Sequence, residues 1–300
     1  MDAVRKIWAI PLTSIVSPCV AISGCNAVDA KHTGTRAIES SLMTATASRC
    51  LACVLACLTL ASASAASASA CTFASQGDGR VVSVIDARTF RLDDGRDIRL
   101  AGIEAASIDK TKGMAALSAI AGGRDVSLHG EDDTPDRYGR QPAFVFLKGT
   151  QTSVQSELLR RGEALASADI ADKDCAASLA AAEASAQDGK SGFWADPAAI
   201  KNAESPGDIL TGIGRFTLVE GRVLSVRQAG STTYLNFGRN WTQDFAVTIS
   251  RRLIPAFEAA GLSPKSLENQ RIRVRGYVWS RGGPRIELLR VGQIQVLSRK

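Results

Sequence analysis

The chain has 300 residues, 45% of them hydrophobic, enough to fill two modest cores behind a leader and too many for wholesale disorder. The net charge of +6 is unevenly spread: residues 71–211 hold 16 Lys and Arg against 22 Asp and Glu, residues 212–300 hold 15 against 5. Beyond residue 70 only His129, Cys71 and Cys175 are available, too few for a Cys/His zinc site, Ser-His-Asp hydrolysis or histidine-based nuclease chemistry.

Residues 43–70 (MTATASRCLACVLACLTLASASAASASA) join a short segment with Arg49 to an apolar run, 50–61, and then to small residues. They end in Ala68-Ser69-Ala70, an A-x-A cleavage pattern. This predicts a signal peptide and a periplasmic or secreted protein; the run is too short for a spanning helix. Met43 stands where such a signal would begin, so residues 1–42 read as an over-extended start or a spacer. Cleavage after Ala70 would leave Cys71 first. Lipidation of Cys71 would give a membrane contact, although Ala68 stands where a lipobox usually has Leu. An oxidising compartment also permits a disulfide between Cys71 and Cys175.

Residues 80–85 (RVVSVI) and 89–92 are rich in β-branched and apolar side chains, as strands are. Asp94-Gly95 marks a tight hairpin, and 97–103 (DIRLAGI) is the return strand. A helix is predicted over 113–121, stopped by Gly122-Gly123, then strands at 126–128 and 143–147. An amphipathic helix follows at 153–161 and an Ala-rich one at 174–190. Residues 197–213, with Pro197, Pro206, Gly207 and Gly212 and no periodicity, read as a linker between domains at 71–196 and 214–300.

Beyond the linker, strands are predicted at 216–227, 232–237 and 244–249, then a Ser250-capped helix at 251–260. Strands at 271–279, 285–289 and 294–297 complete the pattern. Each half therefore predicts a mainly β fold with some helix, of the small Greek-key type that includes the OB barrel. One internal echo supports two related barrels. Gly79-Arg80-Val81-Val82-Ser83-Val84 differs from Gly221-Arg222-Val223-Leu224-Ser225-Val226 at one place.

Five segments carry a resemblance. They are Asp86-Ala87-Arg88-Thr89, residues 98–104 (IRLAGIE), Asp136-Arg137-Tyr138-Gly139-Arg140, residues 158–164 (LLRRGEA) and Gly192-Phe193-Trp194. Over about residues 78–197 the chain resembles the staphylococcal nuclease (thermonuclease) family. That family hydrolyses DNA and RNA phosphodiesters on an OB barrel with one Ca²⁺. The resemblance implies a hydrolase or nucleic-acid-binding protein and puts Arg99 and Arg140 at the two catalytic, phosphate-binding arginines. A planar guanidinium can hold two phosphate oxygens at once. A surface salt bridge is the plainer role for the same residues.

The metal side departs from the family pattern. Where the family has D-G-D-T, Arg88 replaces the second aspartate, a metal ligand. Glu104 stands at the other ligand position, with a catalytic role by the same resemblance, and Asp86 is the nearest further acid. Where the family has T-P-E, this chain has Ala105-Ala106-Ser107, so the proposed general base is missing. Replacing a carboxylate by a guanidinium turns an attraction of roughly 4 kcal/mol at about 4 Å into a repulsion, at an effective dielectric near 20. The resemblance implies Ca²⁺; the substitutions argue against it. Arg88 with Arg99 and Arg140 would instead make a phosphate cluster, with Tyr138 beside it.

In the basic half, Arg271, Arg273 and Arg275 fall on one face of a predicted strand while Ile272 and Val274 fall on the other. With Tyr277 they are candidates for binding single-stranded DNA or RNA, since OB folds pair basic grooves with stacking aromatics. The alternative is that Tyr277 and Trp279 belong to the core and the arginines only keep the surface soluble. No small-molecule cofactor is expected. Three readings remain: an exported phosphodiesterase, a nuclease-like binding protein without catalysis, and an envelope interaction module.

Overall fold

Alternation along short strands builds the first sheet. In β5 (Asp125–Gly130), Val126 and Leu128 turn inward and Asp125 outward; β3 (Asp97–Leu100) buries Ile98 and Leu100 in the same way. With β1 (Ala74–Asp86), β2 (Thr89–Leu92) and β6 (Arg140–Leu147) they close into a barrel of order β1-β2-β3-β6-β5. The β3–β6 pair is parallel and the other pairs antiparallel. The computed structural model describes residues 73–106 and 109–297, all within the unit Ala66–Lys300. Residues 1–42, the leader at 43–70, Cys71 and Ser107 lie outside the described residues.

Three helices flank this barrel. α1 (Lys110–Ala121) begins three residues before its predicted start, because the Asp109 side chain caps Thr111 and Lys112. Gly113 lets this helix lie against the β1–β2 turn, since a Cβ there would sit 2.5 Å from that of Ala87. α2 (Val154–Arg160) is capped by Ser153 and α3 (Lys173–Asp188) by Asp172. β4 (Ile103–Ala105) and β7 (Ala164–Ala166) pair as a separate ribbon. Phe90, Leu92, Leu117, Leu128, Leu158 and Leu179 join one hydrophobic core.

The segment between the cores is not bare chain. β8 (Lys201–Asn202) adds to the second sheet, and α4 (Pro206–Leu210) puts Ile209 into the second core. Pieces of two and five residues are too short to show a periodicity, so the sequence read them as linker.

The second sheet runs β10 (Ser225–Ala229), β11 (Thr232–Asn236), β12 (Ala246–Ser250), β14 (Gly283–Leu288), β13 (Arg271–Arg281), β9 (Phe216–Arg222), β8, and β15 (Ile294–Val296) pairs with β13. A short helix, α5 (Ile254–Ala259), follows β12. The step β12–β14 is parallel. β9 and β10 are halves of one run broken at Val223-Leu224, so the strand order is that of the first barrel, with the same parallel step.

The repeated hexapeptide occupies the same place in both sheets. Val81 donates its backbone N–H to Arg124 (2.9 Å) and accepts from Gly123 (3.0 Å); Val223 donates to Gln270 (3.0 Å) and accepts from Asn269 (2.8 Å). Gly123 and Asn269 both have positive φ, 69° and 65°, a conformation that glycine and asparagine tolerate best. In each sheet this is where the first strand leaves the fourth strand and turns to the second. The fold is α+β throughout, and no helix among the described residues is long and apolar enough to cross a membrane.

Candidate phosphate site

The turn 136–140 orients two residues at the end of the barrel. Asp136 Oδ1 accepts the backbone N–H groups of Tyr138 (2.8 Å) and Arg140 (3.1 Å), and Gly139 supplies the positive φ that closes the turn. Oδ2 then takes Arg140 Nε at 3.0 Å and Nη2 at 2.7 Å. The Arg140 guanidinium, with the two backbone donors, holds the Asp136 carboxyl at about 2 against a smaller upward push from desolvation. The same hydrogen bond pushes Arg140 upward from its ordinary value, with the fields of Asp136 and Asp86 adding to it.

Arg99, on β3, lies between two acids. Nη1 is 3.9 Å from Asp136 Oδ2 and Nη2 is 3.5 Å from Glu104 Oε1. Its side chain is 31% exposed and that of Arg140 22%, so both guanidinium groups keep an open side. Tyr138 is exposed, its ring covered by Arg137 and Arg140 at 4.7 and 5.0 Å. The two arginines expected to hold phosphate are therefore side by side and accessible.

Arg88 behaves differently. Asp86 caps the turn by accepting the Arg88 backbone N–H at 2.9 Å, and the Arg88 side chain turns inward. Its Nη1 ion-pairs with Glu104 Oε1 and donates to the Ile103 carbonyl (3.2 Å), while Nη2 reaches the Tyr277 hydroxyl (3.4 Å). Arg88 was expected in a three-arginine phosphate cluster; its guanidinium is spent on the buried Glu104 carboxylate instead.

Both Glu104 oxygens already have partners. Oε1 carries Arg88 and Arg99, and Oε2 accepts the Tyr277 hydroxyl at 2.7 Å from β13. Tyr277 is half-buried, and this partial burial, then the Glu104 hydrogen bond and charge, push its phenol above its ordinary value. Ca²⁺ takes six to eight oxygen ligands with several charges. A carboxylate shared by two guanidinium groups and a phenol, with Asp86 committed to its turn, does not fit such a site. No group of three or more acidic, His or Cys side chains suited to a metal occurs among the described residues.

The basic strand β13 also faces the first barrel. Arg275 is buried, with Nη1 at 2.8 Å from both Glu183 Oε2 of α3 and the Ala166 carbonyl of β7. Arg273 pairs with Glu220 (2.6 Å), donates to Gln187 (3.1 Å) and covers the Trp194 ring at 5.5 Å. Only Arg271 projects outward, 67% exposed, with a loose 3.4 Å contact to Glu220. The expectation that Arg271, Arg273 and Arg275 share a solvent face is thus corrected. They do share a face of the strand, but the first barrel covers most of it. Tyr277 faces Glu104 and packs edge-on against Phe216, rather than entering the core of its own sheet.

Cys175, in the first turn of α3, is buried and disulfide-bonded. Cys71, its expected partner, lies outside the described residues, as does Ser107, which the resemblance puts at the general-base position. Sequence reasoning quoted Asp136 without giving it a role. Its place at the head of the D-R-Y-G-R turn, two residues before Tyr138, was the signal for a capping acid.

A family model described as staphylococcal nuclease homologue matches residues 97–196. Those residues form a staphylococcal nuclease homologue domain. The match opens at Asp97, on β3, and so includes Arg99, Glu104, Asp136 and Arg140 but not Asp86 or Arg88. The barrel itself extends further, since β1 and β2 precede the match and close it. A staphylococcal nuclease homologue domain over these residues supports a nuclease-like or nucleic-acid-binding function. The family is generally Ca²⁺-dependent. No curated protein matches the chain.

Proposed function

We propose that this is an exported nucleic-acid-binding protein on a staphylococcal nuclease framework, in which Arg99 and Arg140 hold a backbone phosphate and Ca²⁺-dependent cleavage is lost. The observation that carries this reading is the state of Glu104. The one family ligand position that keeps an acid is neutralised by Arg88 and covered by the Tyr277 hydroxyl. Arg99 and Arg140 remain open on the same side. Loss of the general base, with Ala105-Ala106-Ser107 in its place, removes by itself about 10²–10⁴ of rate in typical acid–base catalysis.

Binding of labelled single-stranded DNA and RNA to the full chain in EDTA tests this reading. Arg99→Ala with Arg140→Ala should weaken binding and flatten its salt dependence, because each lost phosphate contact releases fewer counterions. Unchanged affinity and salt slope would remove the two arginines from the site. The leader at 43–70 supports export, and mass spectrometry of the mature amino terminus would place cleavage before Cys71 if that part holds. A lipid mass on Cys71 would add a membrane anchor.

A further inference from the structure

A second cationic site lies on the second sheet and shares no residue with the first. Register puts Ser225, Asn236, Ala246, Arg285 and Trp279 in one row across five strands, each paired with the next. Their neighbours Leu235, Val247, Ile286 and Val278 are in the core, so the row faces outward. Ala246 offers only a methyl group in the middle of this row and leaves a dip. Around it Arg227, Tyr234, Arg239, Trp241 and Arg285 line a groove of about 690 Å³, a size that suits a small ligand or a nucleotide unit. No carboxylate lines it.

Arg285 is the residue that demands a ligand. The residue is only 8% exposed, yet its guanidinium makes neither a hydrogen bond nor an ion pair with any described residue. Its guanidinium lies 5.5 Å from the Tyr234 ring and 5.9 Å from that of Trp279. Arg275, equally buried, has Glu183 as counter-ion. Ring faces compensate a buried cation only in part, and an anion in the groove would complete it. At the rim, beside these arginines, Trp241 stands 69% exposed, with its indole open to a stacking partner.

We propose that this groove binds single-stranded nucleic acid, with a backbone phosphate on Arg285, flanked by Arg227 and Arg239, and a base stacked on Trp241. The inference rests on the nucleic-acid reading above, but its residues are separate. Charge selects an anion, and the exposed indole beside it selects one that carries flat rings. Acidic peptides offer the first without the second.

The test is fluorescence anisotropy of a labelled oligothymidylate of about eight nucleotides, within the site size of one OB fold, with the full chain in EDTA. Trp241→Ala should weaken binding at least about fivefold, the low end for one stacked base, and Arg285→Gln should lower both affinity and salt slope. Ala246→Leu, which fills the dip and leaves every arginine in place, should do the same to affinity if Arg285→Gln fails to fold. An abasic oligomer of equal length should bind the wild-type chain more weakly than oligothymidylate, and the Trp241→Ala chain equally. Wild-type affinity in folded groove variants would overturn the proposal. So would an abasic oligomer or oligoglutamate binding as tightly as oligothymidylate. If only the Arg99→Ala, Arg140→Ala chain loses binding, the groove proposal falls and the first site stands; loss confined to the groove variants gives the converse.

Discussion

Tyr277 of β13 donates its hydroxyl to Glu104 of β4 at 2.7 Å, so the second sheet reaches the carboxylate that the family resemblance puts at a metal position. The contact is local in neither sequence nor sheet: 173 residues separate the partners. Arg88 and Arg99 complete the arrangement, leaving a buried carboxylate with one oxygen met by two guanidinium groups and the other by a phenol.

This geometry fixes how Tyr277 titrates. Its folded pKa is raised above the ordinary value, first by burial and then by Glu104, so the hydrogen-bonded phenol stabilises the fold below the unfolded pKa and ceases to as pH rises through the folded one. Ultraviolet titration should show one tyrosine ionising late. Tyr277→Phe should abolish that late phase and cost about 1.5–3 kcal/mol, as for a hydrogen bond to a charged group.

Asp136 gives the opposite sign. Its folded pKa, depressed to about 2, sits below that of the unfolded chain, so its contribution is present above about 4 and fades as pH falls towards 2. Denaturant melts across that window should lose stability in the wild type. The loss should be smaller in Asp136→Asn, which is already without the charge.

The buried Arg275–Glu183 pair ties β13 to α3, with Glu183 also accepting the Ala166 backbone N–H at 2.9 Å. Arg275→Met or Glu183→Gln alone should cost about 3–5 kcal/mol, because each leaves its partner buried and uncompensated. The double variant should cost less than the sum of the two. Additive losses would show that the pair does not act as a unit.

Restoring acids should restore the metal. Arg88→Asp with Ser107→Glu returns a carboxylate to each departed position and frees Glu104 from its strongest partner; Tyr277→Phe added to these frees the other oxygen. Calorimetry should then detect Ca²⁺ binding, and cleavage should become Ca²⁺-dependent. If neither binding nor cleavage appears in the triple variant, the site is misplaced.

Much of the fold was legible because short strands announce themselves by alternation: Val126, Leu128, Ile98 and Leu100 all face inward as their spacing predicts. The echo of Gly79–Val84 in 221–226 was legible for a deeper reason, since both hexapeptides serve one bend in one topology. Alternation states which side chains share a face, not what covers that face. Arg273 and Arg275 looked solvent-bound because their partners Glu220 and Glu183 lie 53 and 92 residues away. The start of β1 at Ala74 was illegible too, since its first residues carry polar side chains and gain their place from pairing with β5. In the site, motif spacing placed Arg99 and Arg140 together. Nothing in the local sequence announced that Arg88 would turn inward or that Tyr277 would meet Glu104.

The most direct test of the central claim is cleavage of labelled single-stranded DNA and RNA by the purified full chain with Ca²⁺ or with EDTA, beside the Arg99→Ala, Arg140→Ala control. Substrate should stay intact in both lanes, while the wild-type chain, and not the control, retains it in the EDTA binding assay. Cleavage that requires Ca²⁺ and disappears in the control would contradict that claim, because Glu104 would then have to serve a metal despite Arg88 and Tyr277.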